Sequence, residues 1–116
     1  MEQVCKIMTP EEWEESIVVG KAYVAVSEAD LRDGYIHCSS ARQVPGTLAK
    51  WYTAMDSVVV VTVDTAKLDG ELKWEPNAVG ELFPHIYGAI GPEAVAGVEK
   101  LQRDSTGELV PTEEGV

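Results

Sequence analysis

Val58-Val59-Val60-Val61-Thr62-Val63 is apolar and β-branched on both faces, a pattern that predicts a central strand covered on each side. Val4 to Met8 reads as a first strand. Thr9-Pro10-Glu11-Glu12 follows it as a helix start: Thr9 caps, Pro10 suits the first helical position and Glu12 closes a capping box. Trp13 and Ile17 supply that helix's apolar stripe, the acidic residues Glu11, Glu12, Glu14 and Glu15 lie near its favourable end, and Gly20 is the expected terminator. Ser27-Glu28-Ala29-Asp30 repeats the box, but Gly34 arrives so early that only a turn or short helix fits.

Tyr35 to Ser39 is expected to be extended. Ser40 then caps a second long helix with Gln43 as its reciprocal partner, Pro45 falls near its start, and Val44, Leu48, Trp51 and Met55 form its apolar face. Asp69-Gly70 marks a turn, with Leu72 to Trp74 a short strand interrupted by Pro76. Asn77 to Gly91, rich in glycine and proline, reads as a shaped loop with short extended pieces, and Gly91-Pro92 as the start of a helical turn. Val95 to Gln102 is expected as a strand that turns at Asp104-Ser105-Thr106-Gly107 into Glu108-Leu109-Val110.

A chain of 116 residues with 45% hydrophobic composition buries one modest core. Residues 1–110 are therefore expected to form a single domain, with 111–116 a loose acidic tail. The formal charge of −11 repels duplex nucleic acid and anionic membrane over most of the surface. Gly34 to Met55 is the exception, holding Arg42 and Lys50 but no Asp or Glu, which favours a small nucleotide or other phosphate-bearing partner. The opening residues lack a basic stretch leading into an apolar one, and no apolar run approaches the roughly 20 residues that span a bilayer, so a cytoplasmic location is expected. Cys5 and Cys38, in predicted core strands, are expected to be reduced thiols.

Two segments carry groups suited to chemistry. In Asp33-Gly34-Tyr35-Ile36-His37-Cys38-Ser39-Ser40, strand alternation puts Tyr35, His37 and Ser39 on one face and turns Ile36 and Cys38 inward. Backbone N–H groups near Ala41 to Gln43, helped by Ser39, Ser40 and Arg42, are candidates to hold a phosphate, with His37 orienting a ribose or transferring a proton. Equally, Ser40 caps the helix and His37 serves the structure alone. In the second segment Glu75, Glu81 and His85 offer carboxylates and an imidazole, and Trp74, Phe83 and Tyr87 a wall for a flat base. Glu81 is preferred over Glu75 as a catalytic carboxylate because it follows Gly80 in a constrained segment. The competing readings are a bracing role for Glu75 beside Pro76 and a core role for the aromatics. No metal is expected: Pro84 spoils a helical Glu81–His85 pair, and no Cys-x-x-Cys or His-Glu-x-x-His element occurs.

At Lys6-Ile7, Trp13, Asp33-Gly34-Tyr35-Ile36-His37, Ser39, Gln43, Lys73-Trp74-Glu75-Pro76 and Gly80-Glu81-Leu82-Phe83-Pro84-His85-Ile86-Tyr87-Gly88, the chain resembles the bacterial and plant family catalogued as domain of unknown function 952. Members of that family are similar in fold to ADP-ribosyltransferases and RNA 2′-phosphotransferases. The resemblance implies a compact α+β domain of small mixed sheets flanked by helices, an NAD-like nucleotide in a cleft, His37 and Ser39 near it, and a glutamate, Glu81 or Glu75, stabilising positive charge. His37 is followed by Cys38 where such transferases often have glycine, and no secure Glu-x-Glu or Gln-x-Glu element is present. A noncatalytic binding module and a structural or protein-interaction domain therefore stand as alternatives.

Overall fold

The computed structural model describes residues 3–18 and 27–112. In chain order the elements are β1 (Val4–Met8), α1 (Pro10–Val18), α2 (Glu28–Asp33), β2 (Ile36–His37), β3 (Ser39–Ser40), α3 (Val44–Trp51), β4 (Ser57–Val63), β5 (Glu71–Pro76), β6 (Leu82–Tyr87), β7 (Val95–Arg103) and β8 (Leu109–Pro111). They build a five-stranded sheet in the order β3-β1-β4-β7-β8 and a three-stranded sheet in the order β2-β6-β5. The class is α+β, but the sheets are not mixed, since each strand pairing is antiparallel.

The double-faced apolar pattern of β4 has the expected result. It sits between β1 and β7, and its side chains feed two cores. Val59, Val61 and Val63 join Val4, Met8, Ile36, Ile86 and Ile90 between the sheets, whereas Val58 and Val60 join Cys5, Ile7 and Leu101 under α3. Cys5 and Cys38 are buried and free, and burial pushes the Cys38 thiol up to about 12. Among the described residues no helix is long and apolar enough to cross a membrane.

Helix entries follow the capping arithmetic. The Thr9 hydroxyl accepts from Glu12 N at 3.1 Å while Thr9 N donates to the Glu12 carboxylate at 2.9 Å. Ser27 and Asp30 form a second reciprocal box, and Gly34, left-handed at φ 82°, closes α2. Ser40 and Gln43 form a third, although the chain first makes a 3-10 turn over Ala41–Gln43 before α3 begins with Pro45 in its opening turn. The Gly20 terminator lies outside the described residues.

The expected apolar face of α3 needs correction. Val44 and Leu48 pack on the core as expected, but the third contact is Tyr52, not Trp51, which is 70% exposed. The helix ends at Trp51, and the chain turns away before another turn brings Met55 round.

The larger correction concerns Asn77 to Gly91. Leu82–Tyr87 is the middle strand of the three-stranded sheet, and β5 runs through Pro76. Proline in a sheet interior normally forfeits a ladder hydrogen bond. Pro84 is accommodated because its backbone faces the β2 side just where β2 ends: its carbonyl still accepts from Cys38 N at 3.1 Å, and the missing N–H falls where the chain departs, while Pro76 closes an edge strand. Gly70 permits the tight approach that sets this sheet's end: a Cβ there would lie 2.2 Å from the Tyr87 carbonyl oxygen. At the other terminus Pro111, expected in the tail, pairs with Leu101, and Thr112 N donates to Lys100 O at 3.0 Å; the residues after Thr112 lie outside those described.

Candidate functional site

Chain direction changes within the first chemistry-bearing segment. Ile36–His37 pairs with β6 in the three-stranded sheet, yet Ser39–Ser40 pairs with β1 in the other. The alternation expected through Ser39 therefore fails at Cys38, where the chain crosses between sheets. His37 remains on the outer face of the small sheet, while Ser39 is buried with its hydroxyl 3.1 Å from that of Thr47.

On the small sheet, strand alternation places His37, Phe83, His85, Tyr87, Glu71, Lys73 and Glu75 on the outer face. Ile36, Pro84, Ile86, Leu72 and Trp74 take the face that covers the core. His37 and His85 are direct register partners, and Tyr35 stacks on His85 at 4.1 Å between centroids with an interplanar angle of 25°. One oxygen of Glu75 accepts from the Tyr87 hydroxyl at 2.7 Å and lies 2.7 Å from His85 Nδ1. His85 Nε2 has no hydrogen-bond partner among the described residues.

These contacts set the local acidity. Hydrogen bonds from Tyr87 and then His85 hold the Glu75 carboxyl below its ordinary range. The same bond pushes the Tyr87 phenol up to about 12, because the Glu75 anion favours the protonated phenol. Glu75, on the neighbouring strand, therefore orients the imidazole by fixing Nδ1 and leaves Nε2 as the atom free to exchange a proton.

His37 is held from below. Its backbone N donates to Asp30 Oδ1 at 3.0 Å, and its Nδ1 lies 2.6 Å from the same oxygen. Asp30 Oδ2 accepts from Lys6 Nζ at 2.7 Å and from Ser27 N at 3.1 Å. Lys6 and Asp30 are both buried, each 3% exposed. Burial alone would raise the Asp30 carboxyl, but the Lys6 charge and its hydrogen bonds outweigh that and leave it below its ordinary value. At the open side, Asp33 Oδ2 stands 2.9 Å from His37 Nε2 and the same carboxylate pairs with Arg32.

Of the residues expected in the site, His37, His85, Glu75 and Tyr87 are brought together. Trp74 is on the opposite face of its strand. Glu81, in the hairpin between β5 and β6, accepts from the Gln43 side-chain amide at 3.0 Å, and Gln43 also donates to Leu82 O at 2.8 Å. Ser40 is wholly buried as a cap. Two of the amides expected to cradle a phosphate are engaged, Ala41 N to Gln3 O and Gln43 N to the Ser40 hydroxyl, and Arg42 lies exposed between them. Lys6 and Asp30 were not anticipated as site residues. A lysine inside an apolar strand was the available signal for the first, whereas the capping role of Asp30 masked its second use. A groove of about 270 Å³ lined by Pro10, Trp13, Val58, Lys100 and Leu101 borders the larger sheet, away from the histidines.

With this geometry in place, the comparisons define the class: the chain belongs to the family described as "Protein of unknown function (DUF952)", whose model matches residues 7–98. Among solved structures it is similar to the crystal structure of protein CC0527 from Caulobacter crescentus, at 33% identity and a TM-score of 0.79, with 95% of this chain and 93% of that one covered. The solution NMR structure of CC0527 matches at 32% identity and a TM-score of 0.75, covering 90% and 89%. No curated protein matches the chain at a significant level.

Proposed function

We propose that the outer face of the small sheet is a small-molecule site in which His85 exchanges a proton through Nε2, Glu75 holds the ring, and His37 contacts the ligand beside it. The observation that carries this reading is the 2.7 Å Glu75–His85 contact, which commits one imidazole nitrogen and leaves the other without a protein partner among the described residues. A carboxylate bracing a histidine ring, here one that is buried apart from its outer edge, is the arrangement general acid–base chemistry uses. The resemblance of the family to ADP-ribosyltransferases makes NAD, ADP-ribose or another small nucleotide the first ligands of interest. In that reading Glu75, rather than Glu81, supplies the negative charge for a cationic centre, because it shares the histidine face.

Titration of NAD, ADP-ribose and AMP into the protein, followed by nuclear magnetic resonance, tests this. The expected result is movement of the His37, His85 and Tyr35 ring signals and about tenfold weaker binding in His85→Ala, roughly the worth of one charge-assisted contact. If none of the three binds, the nucleotide assignment fails. Nicotinamide release from NAD separates transferase chemistry from binding alone. A purely structural cluster is the competing reading, favoured by the Tyr35 ring already stacked on His85. It requires that no ligand moves these rings.

A further inference from the structure

Lys6 sits in a core strand, 3% exposed, and contacts His37 in two ways. Its Nζ donates to the His37 carbonyl at 3.2 Å and to Asp30 Oδ2 at 2.7 Å, while the other oxygen of that carboxylate faces His37 Nδ1 at 2.6 Å. A lysine and an aspartate taken out of water each carry a desolvation penalty, and a well-packed apolar pair of similar volume often does as well for stability. Stability alone therefore gives little reason for this pair.

Its geometry gives another reason. Between Asp30 Oδ1 and His37 Nδ1 there is room for one proton, and its location decides what the outward nitrogen can do. With Asp30 a carboxylate, acceptor only, a proton belongs on Nδ1; Asp33, also an acceptor, competes for it at Nε2, but at the longer distance, from the solvent side and with its charge shared with Arg32. Without a neighbouring cation the buried carboxyl favours its neutral form. It then donates to Nδ1 and drives the ring proton to Nε2, the atom that faces Asp33 and solvent.

We infer that Lys6 is a positioning residue for His37: acting through Asp30, it keeps a proton on Nδ1 and so fixes the ring with Nε2 turned outward to Asp33 and the ligand side. This rests on the reading of His37 as a ligand contact. It adds a second oriented imidazole beside His85, each with Nδ1 committed to a carboxylate from a different element. The groups facing His37 are Asp30 and Asp33 from α2, Lys6 from β1, His85 from β6, and Tyr35.

The test is the ring nitrogen-15 spectrum of both histidines in wild type and Lys6→Met, recorded in the neutral ring, with folding followed by backbone amide dispersion. In wild type, His37 is expected in the Nδ1–H form. In Lys6→Met its Nδ1 and Nε2 signals are expected to exchange character while His85, held by Glu75, keeps its own. A wild-type His37 protonated on Nε2 overturns the inference, as does a folded Lys6→Met protein with an unchanged His37 ring. Where Lys6→Met fails to fold, Lys6→Gln keeps a donor without the charge and is read in the same way. Failure of both to fold makes the pair structural and ends the proposal. Absence of nucleotide binding in wild type removes the proposed ligand but leaves the tautomer result standing, whereas intact binding with an unmoved tautomer in the variant removes Lys6 alone.

Discussion

His37 and His85 face each other across β2 and β6, and their rings meet edge to face with centroids 5.5 Å apart. Each has its own carboxylate at Nδ1, Asp30 from α2 for the first and Glu75 from β5 for the second. The two halves of the site are thus anchored to different parts of the fold, and each can be disturbed separately.

Glu75→Gln and Glu81→Gln are expected to separate the two candidate carboxylates. Both variants keep the fold. Glu75→Gln weakens binding of an identified nucleotide about tenfold, as loss of one charge-assisted hydrogen bond does, and Glu81→Gln leaves it within about twofold. Calorimetric titration of the two proteins side by side gives the answer, and equal losses would return Glu81 to the site.

Tyr87 provides a measurement that needs no ligand. Its phenol is pushed up to about 12 by the Glu75 hydrogen bond, so Glu75→Gln is expected to return one tyrosine towards the ordinary value of about 10. Absorbance titration of tyrosinate in both proteins reads this directly. An unchanged curve means that the hydrogen bond is absent in solution.

Acid stability follows from Asp30. Its folded carboxyl titrates below the unfolded one, so its contribution is present above the ordinary carboxylate range and is lost as pH falls through the depressed folded value. Urea unfolding is expected to show stability dropping below about pH 4, with a shallower slope in Asp30→Asn. At pH 7 that variant loses about 3–5 kcal/mol, because Lys6 is left buried without its counter-ion. The slope is reduced rather than abolished, since Asp33, Glu75 and Asp104 are also lowered.

Amide exchange is expected to be slowest along Ser57–Val63, which is paired on both edges and buried on both faces. Exchange there as fast as in the edge strand β5 would contradict the topology.

The elements visible in the sequence were those with a local physical signature. The valine run of β4 and the three capping boxes needed no tertiary information, and the turn at Asp104 was marked by its own residues. The middle strand of the small sheet was hidden because Pro84 argues locally against a strand. What tolerates it, the end of β2 opposite its missing N–H, is a matter of pairing across the fold. In the same way, the pairing of His37 with His85 is a matter of register, while the proximity of each histidine segment to chemistry was evident from composition. Composition did not show that strand alternation aims Glu75 at the histidines or that Gln43 engages Glu81, since both depend on register and on contacts across the fold.

The crossing at Cys38 has a mechanical consequence. Ile36–His37 is stitched into one sheet and Ser39–Ser40 into the other, with a single residue between them, so neither sheet can slide along this seam without pulling its neighbour. Load applied at the histidine face passes through Ser39–Ser40, the edge of the larger sheet, to Val4 and Cys5 of β1 beside it. The seam is a rivet, and the small sheet moves with the body of the domain.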